Sequence, residues 1–157
     1  MPEKKSDTTI KWECKPFNEL TNEELYRILQ LRIEVFAVEQ NVIYQDCDNK
    51  DFNSYHFTAT RNDVLLAYSR IIPPGIAYPK AASIGRVVTS PLARGQSLGK
   101  QLFEKSLEQV YTLFGHVPVM ISAQVYLVKF YENFSFIQQG NNYIEDSIPH
   151  VTMIKNI

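Results

Sequence analysis

Between Val87 and Lys100 the chain gathers the residue types that hold a phosphate group. An apolar strand runs out at Thr89, and Ser90-Pro91 turns the chain. A helix is expected to open near Arg94, within Arg94-Gly95-Gln96-Ser97-Leu98-Gly99-Lys100. The first amides of a helix have no acceptor inside it, and the aligned peptide dipoles add partial positive charge at the same place. Small side chains let an anion approach those amides, so the segment has the make-up of a diphosphate cradle. Arg94 and Lys100 bring cationic charge that the whole chain, at a formal net charge of -1, does not supply. Spacing disfavours two familiar cradles. A Walker loop needs four residues between its glycines and a hydroxyl residue after its lysine. Here Gly95 and Gly99 enclose three, and Gln101 follows Lys100. The Gly-x-Gly-x-x-Gly fingerprint of dinucleotide sites is absent.

Groups that could move protons lie elsewhere. Glu39, Glu145 and His150 are side chains able to take up a proton. Glu39 closes a helix, where an anion is unfavourable unless something holds it. Tyr131 falls on or beside the apolar stripe of a short helix, which by itself reads as a core aromatic. Arg32 interrupts an apolar helical stripe and Arg86 an apolar strand; each needs an acidic partner or a substrate carboxylate. Glu39, Glu145 and Asp146 are the partners expected for them. Asp46, Asp48 and Asp51 form an acidic loop. A calcium loop starting at Asp46 would need glycine sixth and glutamate twelfth, where Asp51 and Phe57 stand. A solvated loop is the default, attraction of a cationic amine the sharper reading, and no metal is expected. Cys14 and Cys47 lack metal-ligand spacing and read as reduced thiols of a cytoplasmic protein.

The elements that must position these groups can be drawn from periodicity. Residues 10–14 alternate as a first strand. Thr21-Asn22-Glu23-Glu24 is a capping box, with Leu20 and Leu25 placed as a staple. A helix follows, with Leu25, Ile28, Leu29, Arg32, Ile33 and Phe36 on one stripe. Strands are expected at 55–60, 64–72 and 82–89, the first two as a hairpin about Arg61-Asn62-Asp63. A long helix from near Arg94 stops at Gly115, a buried strand covers 118–123, a short helix spans 127–134, and strands at 136–144 and 150–155 close the chain. The order β-α-β-β-β-α-β-α-β-β predicts an α/β protein with a mixed sheet, and the unit at 84–123 a parallel crossover. At 157 residues, 45% hydrophobic and 21% charged, one domain over 8–157 is expected behind a polar tail at 1–7. No apolar run nears the roughly 18 residues of a membrane span. With no basic stripe either, neither membrane nor nucleic acid is an expected partner.

Arg94-Gly95-Gln96-Ser97-Leu98-Gly99 resembles the Arg-x-x-Gly-x-Gly loop of the GNAT superfamily of acyltransferases, with Ser97 in place of the usual middle glycine. Pro91 lies three residues ahead of Arg94, as in that family's signature. Phe130-Tyr131-Glu132-Asn133-Phe134-Ser135-Phe136 is similar to its Phe-Tyr-x-x-x-Gly-Phe, again with serine for glycine, and Gln124 stands where an amide side chain is common. The ElaA-like branch is suggested by Leu31 to Gln40, by Tyr44-Gln45-Asp46 with Asp48, by Gly85-Arg86-Val87, by Ala123-Gln124 and by Glu145 to His150.

The resemblance implies two parallel strands, 84–89 and 118–123, that splay around acetyl-CoA. Val87, Val88 and Thr89 would hold the pantetheine arm through backbone groups, with the Val88 amide polarising the thioester carbonyl. Amides of Gly95, Gln96, Ser97, Leu98, Gly99 and Lys100 would take the diphosphate, helped by Arg94 and Gln124. Tyr131 would serve as general acid, one of Glu39, Glu145 and His150 as base, and Arg32, Gln40, Arg86 and Glu145 would contact the acceptor. The implied reaction is direct transfer of an acetyl group to a small amine in a ternary complex, and family resemblance is compatible with a homodimer. Two other classes compete: a non-catalytic acyl-CoA sensor, in which the two serines mark relaxed catalysis, and a phosphotransferase, which the loop spacing disfavours.

Overall fold

The computed structural model describes residues 8–157, so the tail expected at 1–7 lies outside the described residues. Strand β1 (Lys11–Pro16) leads through a short 3-10 turn to helix α1 (Asn22–Arg32). The expected capping box is formed: Thr21 Oγ1 accepts the Glu24 amide at 3.1 Å, and Glu24 accepts the Thr21 amide at 2.9 Å. The chain then continues as a π-helical segment, Ile33–Glu39, whose last bond runs from the Gln40 amide to the Val35 carbonyl. Asn41, at φ 54°, ends it. The buried stripe is Ile28, Leu31, Arg32 and Val35, one position round from the expected one, and Ile33 faces solvent. Apolar residues occupy nearly every position from Leu31 to Val38, so periodicity alone does not fix the rotation of this helix.

Strands β2 (Tyr55–Arg61), β3 (Val64–Ile72) and β4 (Ser83–Thr89) follow, pairing antiparallel in the order β1-β2-β3-β4. Helix α2 (Leu98–Phe114) starts four residues later than expected, because Ser97 sits at φ 55° and breaks the helix there. Its stop is as expected: Gly115, at φ 76°, donates its amide to Tyr111. Strand β5 (Val119–Gln124), helix α3 (Val128–Glu132), and strands β6 (Ile137–Glu145) and β7 (Ile148–Lys155) complete the chain. They form a second antiparallel sheet in the order β5-β7-β6.

Element order and class are those expected, but the sheet is divided. The two sheets meet through a parallel bridge at one end, where Ala82 donates to Pro118 at 3.0 Å and accepts from Met120 at 2.9 Å. Beyond it β4 and β5 separate. Helix α2 closes the buried side of that gap with Leu98, Leu102, Phe103, Leu107 and Val110. Each such apolar side chain stabilises the fold by about 1.5–3 kcal/mol when fully buried. Phe103 lies against Phe130, Tyr131, Phe134 and Phe136, with its ring centre 5.1 Å from that of Tyr131. The Tyr131 ring is thus anchored from below while the residue lines the open side of the gap.

Candidate active site

The gap between β4 and β5 is a cleft of about 400 Å³. Its first wall is β4. Tyr68 pairs with Val88 and Arg70 with Gly85, so β4 carries one extra residue between them, a bulge at which Arg86 takes φ 48°. Below the bulge, Ser90 donates its amide to Leu66 at 2.7 Å. Directly opposed residues of an antiparallel ladder alternate between bonded and non-bonded pairs. The Ser90–Leu66 pair is bonded, so Thr89–Ala67 is not, and Val88–Tyr68 is again bonded. The Val88 amide therefore points at β3. Val88 lines the cleft, but the expectation that its amide serves as carbonyl donor is overturned. Thr89, in a non-bonded pair, turns its backbone groups outward, and Val87 lies in the bulge without a ladder partner on β3.

At one end of this wall lies the anion loop. Residues 94–97 are exposed, and Gly95 adopts φ 81°, where a β-carbon would be strained. The first bond into α2 is donated by Gln101 to Ser97, leaving the amides of Leu98, Gly99 and Lys100 without intrahelical acceptors. A diphosphate fits such a loop. Arg94 lines the cleft, and its guanidinium holds Glu39 bidentately, at 2.6 and 2.9 Å. That hydrogen-bonded pairing keeps the Glu39 carboxyl below the usual carboxylate range. It also explains how an anion is tolerated at a helix end. Glu39 does not line the cleft and is a poor base in this pairing, so the expectation of a catalytic Glu39 gives way to a role in holding Arg94.

The second wall is the cleft face of the β5-β7-β6 sheet. Alternation places Ala123, Ile121, Val151 and Met153 in the core and turns Ser122, Gln124 and His150 to the cleft. Ser122 donates to Glu145 at 2.9 Å and also meets the Tyr143 hydroxyl. His150 stacks on Tyr143 and is 8% exposed. Its Nδ1 lies 2.7 Å from the Ile148 carbonyl. A carbonyl only accepts, so Nδ1 carries the proton and Nε2 of the neutral ring holds the lone pair. The Glu145 carboxylate lies 3.7 Å from that Nε2. Tyr131 completes the floor; burial, with Tyr126 adding to it, pushes its hydroxyl up to about 12, so it keeps its proton throughout the physiological range.

Another part of the cleft is framed by a charge network that the sequence alone did not assemble. Arg32 is fully buried and bonds Asp51 at 2.7 Å and Asp46 at 2.9 Å. Arg70 meets Asp48 through two bonds, at 2.7 and 2.9 Å, and Asp51 at 3.1 Å. Arg86 bonds Asp46 at 2.9 Å and stacks on Tyr44. The acidic loop is not solvated: its aspartates are the partners of Arg32 and Arg86, in place of Glu39, Glu145 and Asp146. Arg32 lies off the cleft with its guanidinium committed, so it does not reach an acceptor. Arg70 was missed, although an arginine inside Val64–Ile72 carries the same signal that flagged Arg32 and Arg86.

This network sets an acid limit on stability. Burial opposes ionisation of Asp51, but the hydrogen bond and charge of Arg32 outweigh it and hold the group below the usual range; Asp48 is lowered in the same way by Arg70. Burial likewise lowers His56, which is locked between Tyr68 and the Asp51 carbonyl. A depressed folded-state value means stability that is present above the unfolded value and lost as pH falls. The urea midpoint should therefore fall below about pH 6.5 as His56 is forced to charge, and more steeply below about pH 4 as the aspartates protonate. A midpoint constant from pH 7 to 4 would exclude this.

The cleft thus brings together Gln40, Arg86, Val87, Val88, Thr89, Arg94, Gln124, Tyr131, Glu145 and His150, with the loop 95–100 at its end. An acetyltransferase (GNAT) domain family matches residues 18–157. The chain belongs to the GNAT acetyltransferases. It is 39% identical to the protein ElaA of Escherichia coli over 150 residues, covering 94% of this chain and 97% of that one. The crystal structure of E. coli ElaA superposes with a TM-score of 0.87 over 94% of this chain and all of ElaA's. An acyl-CoA N-acyltransferase from Pseudomonas aeruginosa, 42% identical, superposes with a TM-score of 0.89 over 94% of this chain and 99% of its own. GNAT acetyltransferases bind an acyl-CoA and an acceptor, and acyl transfer is the chemistry of this family. Among the described residues, no helix is long and apolar enough to cross a membrane.

Proposed function

We propose that the protein transfers an acetyl group from acetyl-CoA to the primary amine of a small molecule, by direct attack in a ternary complex. The observation that carries this reading is the convergence, in one cleft, of the β4 backbone edge, the phenol of Tyr131 and the free Nε2 of His150. When bound, acetyl-CoA supplies an acyl group activated as a thioester. Amides of Gln96 to Lys100 take its diphosphate, Arg94 adds a charge-assisted contact, and Gln124 lies at the far side of the cleft. Arg94 must then share its guanidinium between Glu39 and phosphate oxygens.

The backbone groups of Val87 and Thr89 hold the pantetheine arm, and one of these amides polarises the carbonyl. The acceptor's ammonium must lose a proton before it can attack, since its ordinary value is about 10. His150 Nε2 takes that proton, with the Glu145 carboxylate 3.7 Å away. Tyr131 faces the leaving sulfur. A phenol that ionises only near 12 does not hand its proton over completely to a thiolate whose ordinary value is about 8.5. It donates a hydrogen bond that stabilises the charge developing on sulfur. The free thiols Cys14 and Cys47 support a reducing, cytoplasmic setting.

Thiol release from acetyl-CoA in the presence of an amine panel tests this function. Release dependent on a primary amine is the expected result; acyl-CoA binding with no release for any amine would instead favour a sensor. The strain at Ser97 and Ser135, both at positive φ where glycine is usual, is the observation on that second reading's side. Charge reversal at the loop tests the cradle separately: Arg94→Glu should weaken CoA about a hundredfold by calorimetry. An unchanged dissociation constant would remove Arg94 from the site.

A further inference from the structure

The charges at the acceptor end are not balanced in the way their number suggests. The cations there face the cleft but have carboxylate partners: Arg70 and Arg86 are bonded to Asp46, Asp48 and Asp51, and Lys50 lies 3.8 Å from Asp48, with the buried Arg70 Nε left without a partner among the described residues. A substrate carboxylate would have to displace an aspartate from a buried network, which leaves a charge uncompensated. Across the cleft the position is reversed. Asp146 lines it from the β6–β7 turn, where φ is 48°, is exposed, and has no ion-pair partner among the described residues. Glu145 is held by Ser122, with His150 as its basic neighbour. His150 is almost wholly buried and presents an Nε2 with no hydrogen-bond partner among the described residues. The hairpin side of the chamber thus carries unpaired negative charge beside the proton acceptor, while the cations of the opposite side each have a carboxylate partner.

We propose that the acceptor is a short diamine or similar dication, with one amine delivered to His150 beside Glu145 and the second cationic group held by Asp146. This rests on the amine-acetylating function proposed above and narrows it: amines carrying a carboxylate are disfavoured, and those carrying a second positive charge are selected. In the transfer, the nitrogen–carbonyl bond forms and the carbon–sulfur bond breaks. The ammonium gives one proton to His150 before attack and sheds a second from nitrogen to solvent after it, and the thiolate leaves against the Tyr131 hydroxyl and takes a proton from solvent, so one proton is released in each turnover.

The test uses the whole chain, acetyl-CoA and three acceptors of matched length: an α,ω-diaminoalkane, the corresponding monoalkylamine, and the ω-aminocarboxylate. We expect kcat/KM for thiol release to fall in that order, by about tenfold and then about tenfold again. In Asp146→Asn the diamine-to-monoamine ratio should collapse to within about twofold, and raising salt should narrow the parent's ratio in the same direction. A carboxylate acceptor equal to or better than the diamine, or a ratio unmoved by Asp146→Asn, overturns the dication assignment while leaving amine acetylation standing. No release with any amine, alongside measurable CoA binding, fails the transferase reading itself and takes this inference with it.

Discussion

Arg32→Met will lower the stability of the fold by about 3–5 kcal/mol and the melting temperature by roughly 10 °C. The cost is not the loss of favourable pairing alone. Arg32 is fully buried, and its removal leaves Asp51 and Asp46 facing an apolar side chain, with Arg70 still reaching Asp51 at 3.1 Å and Arg86 still reaching Asp46 at 2.9 Å. Breaking one side of a buried pair is strongly destabilising because the other charge stays desolvated. Adding Asp51→Asn removes a buried charge that has lost its nearer partner, so the double substitution should cost less than the sum of the singles, by about 1–3 kcal/mol. Denaturant melts of the four proteins measure this. Strict additivity would show that the two groups do not act as a unit.

Tyr131→Phe keeps the ring in its aromatic cluster and deletes one hydroxyl. The expected result is a fall in kcat of about a hundredfold with acyl-CoA affinity within about twofold, the pattern of a donor used only when the sulfur acquires charge. A packing role predicts little change in kcat, since phenylalanine keeps the ring against Phe103 and Phe136. The leaving group provides a sharper check. An acetyl thioester of a more acidic thiol needs less help, so the deficit in Tyr131→Phe should shrink with that donor. An equal deficit for both donors would remove the hydroxyl from the bond-breaking step.

Much of this was legible in the residues. The capping box at Thr21, the stop at Gly115 and the period-two strands are local signals, and each is formed as expected. The cleft was legible because the residues that line it fall at strand ends and in one short loop. What escaped was non-local. The partners of Arg32 and Arg86 lie 14 and 40 residues away along the chain, and charge alone does not say which aspartate folds onto which arginine. The direction of the Val88 amide depends on the phase of the β3–β4 ladder, which a bulge shifts by one residue and no side chain announces. The late start of α2 follows from Ser97 taking a left-handed conformation, a state its side chain permits without advertising.

The single backbone bridge at Ala82–Val119 also separates two inheritances. The donor's diphosphate and pantetheine arm are assigned to β4 and the loop after it, while the groups assigned to acceptor choice and proton uptake lie on the β6–β7 hairpin, with Gln124 and Tyr131 between them and one shared core beneath. With donor and acceptor duties divided in this way, substitutions in the hairpin turn at Asp146 and Ser147 should retarget the enzyme to a different amine without disturbing its grip on the coenzyme. A library confined to that turn, grafted into the unchanged remainder, is the most direct route to altered selectivity.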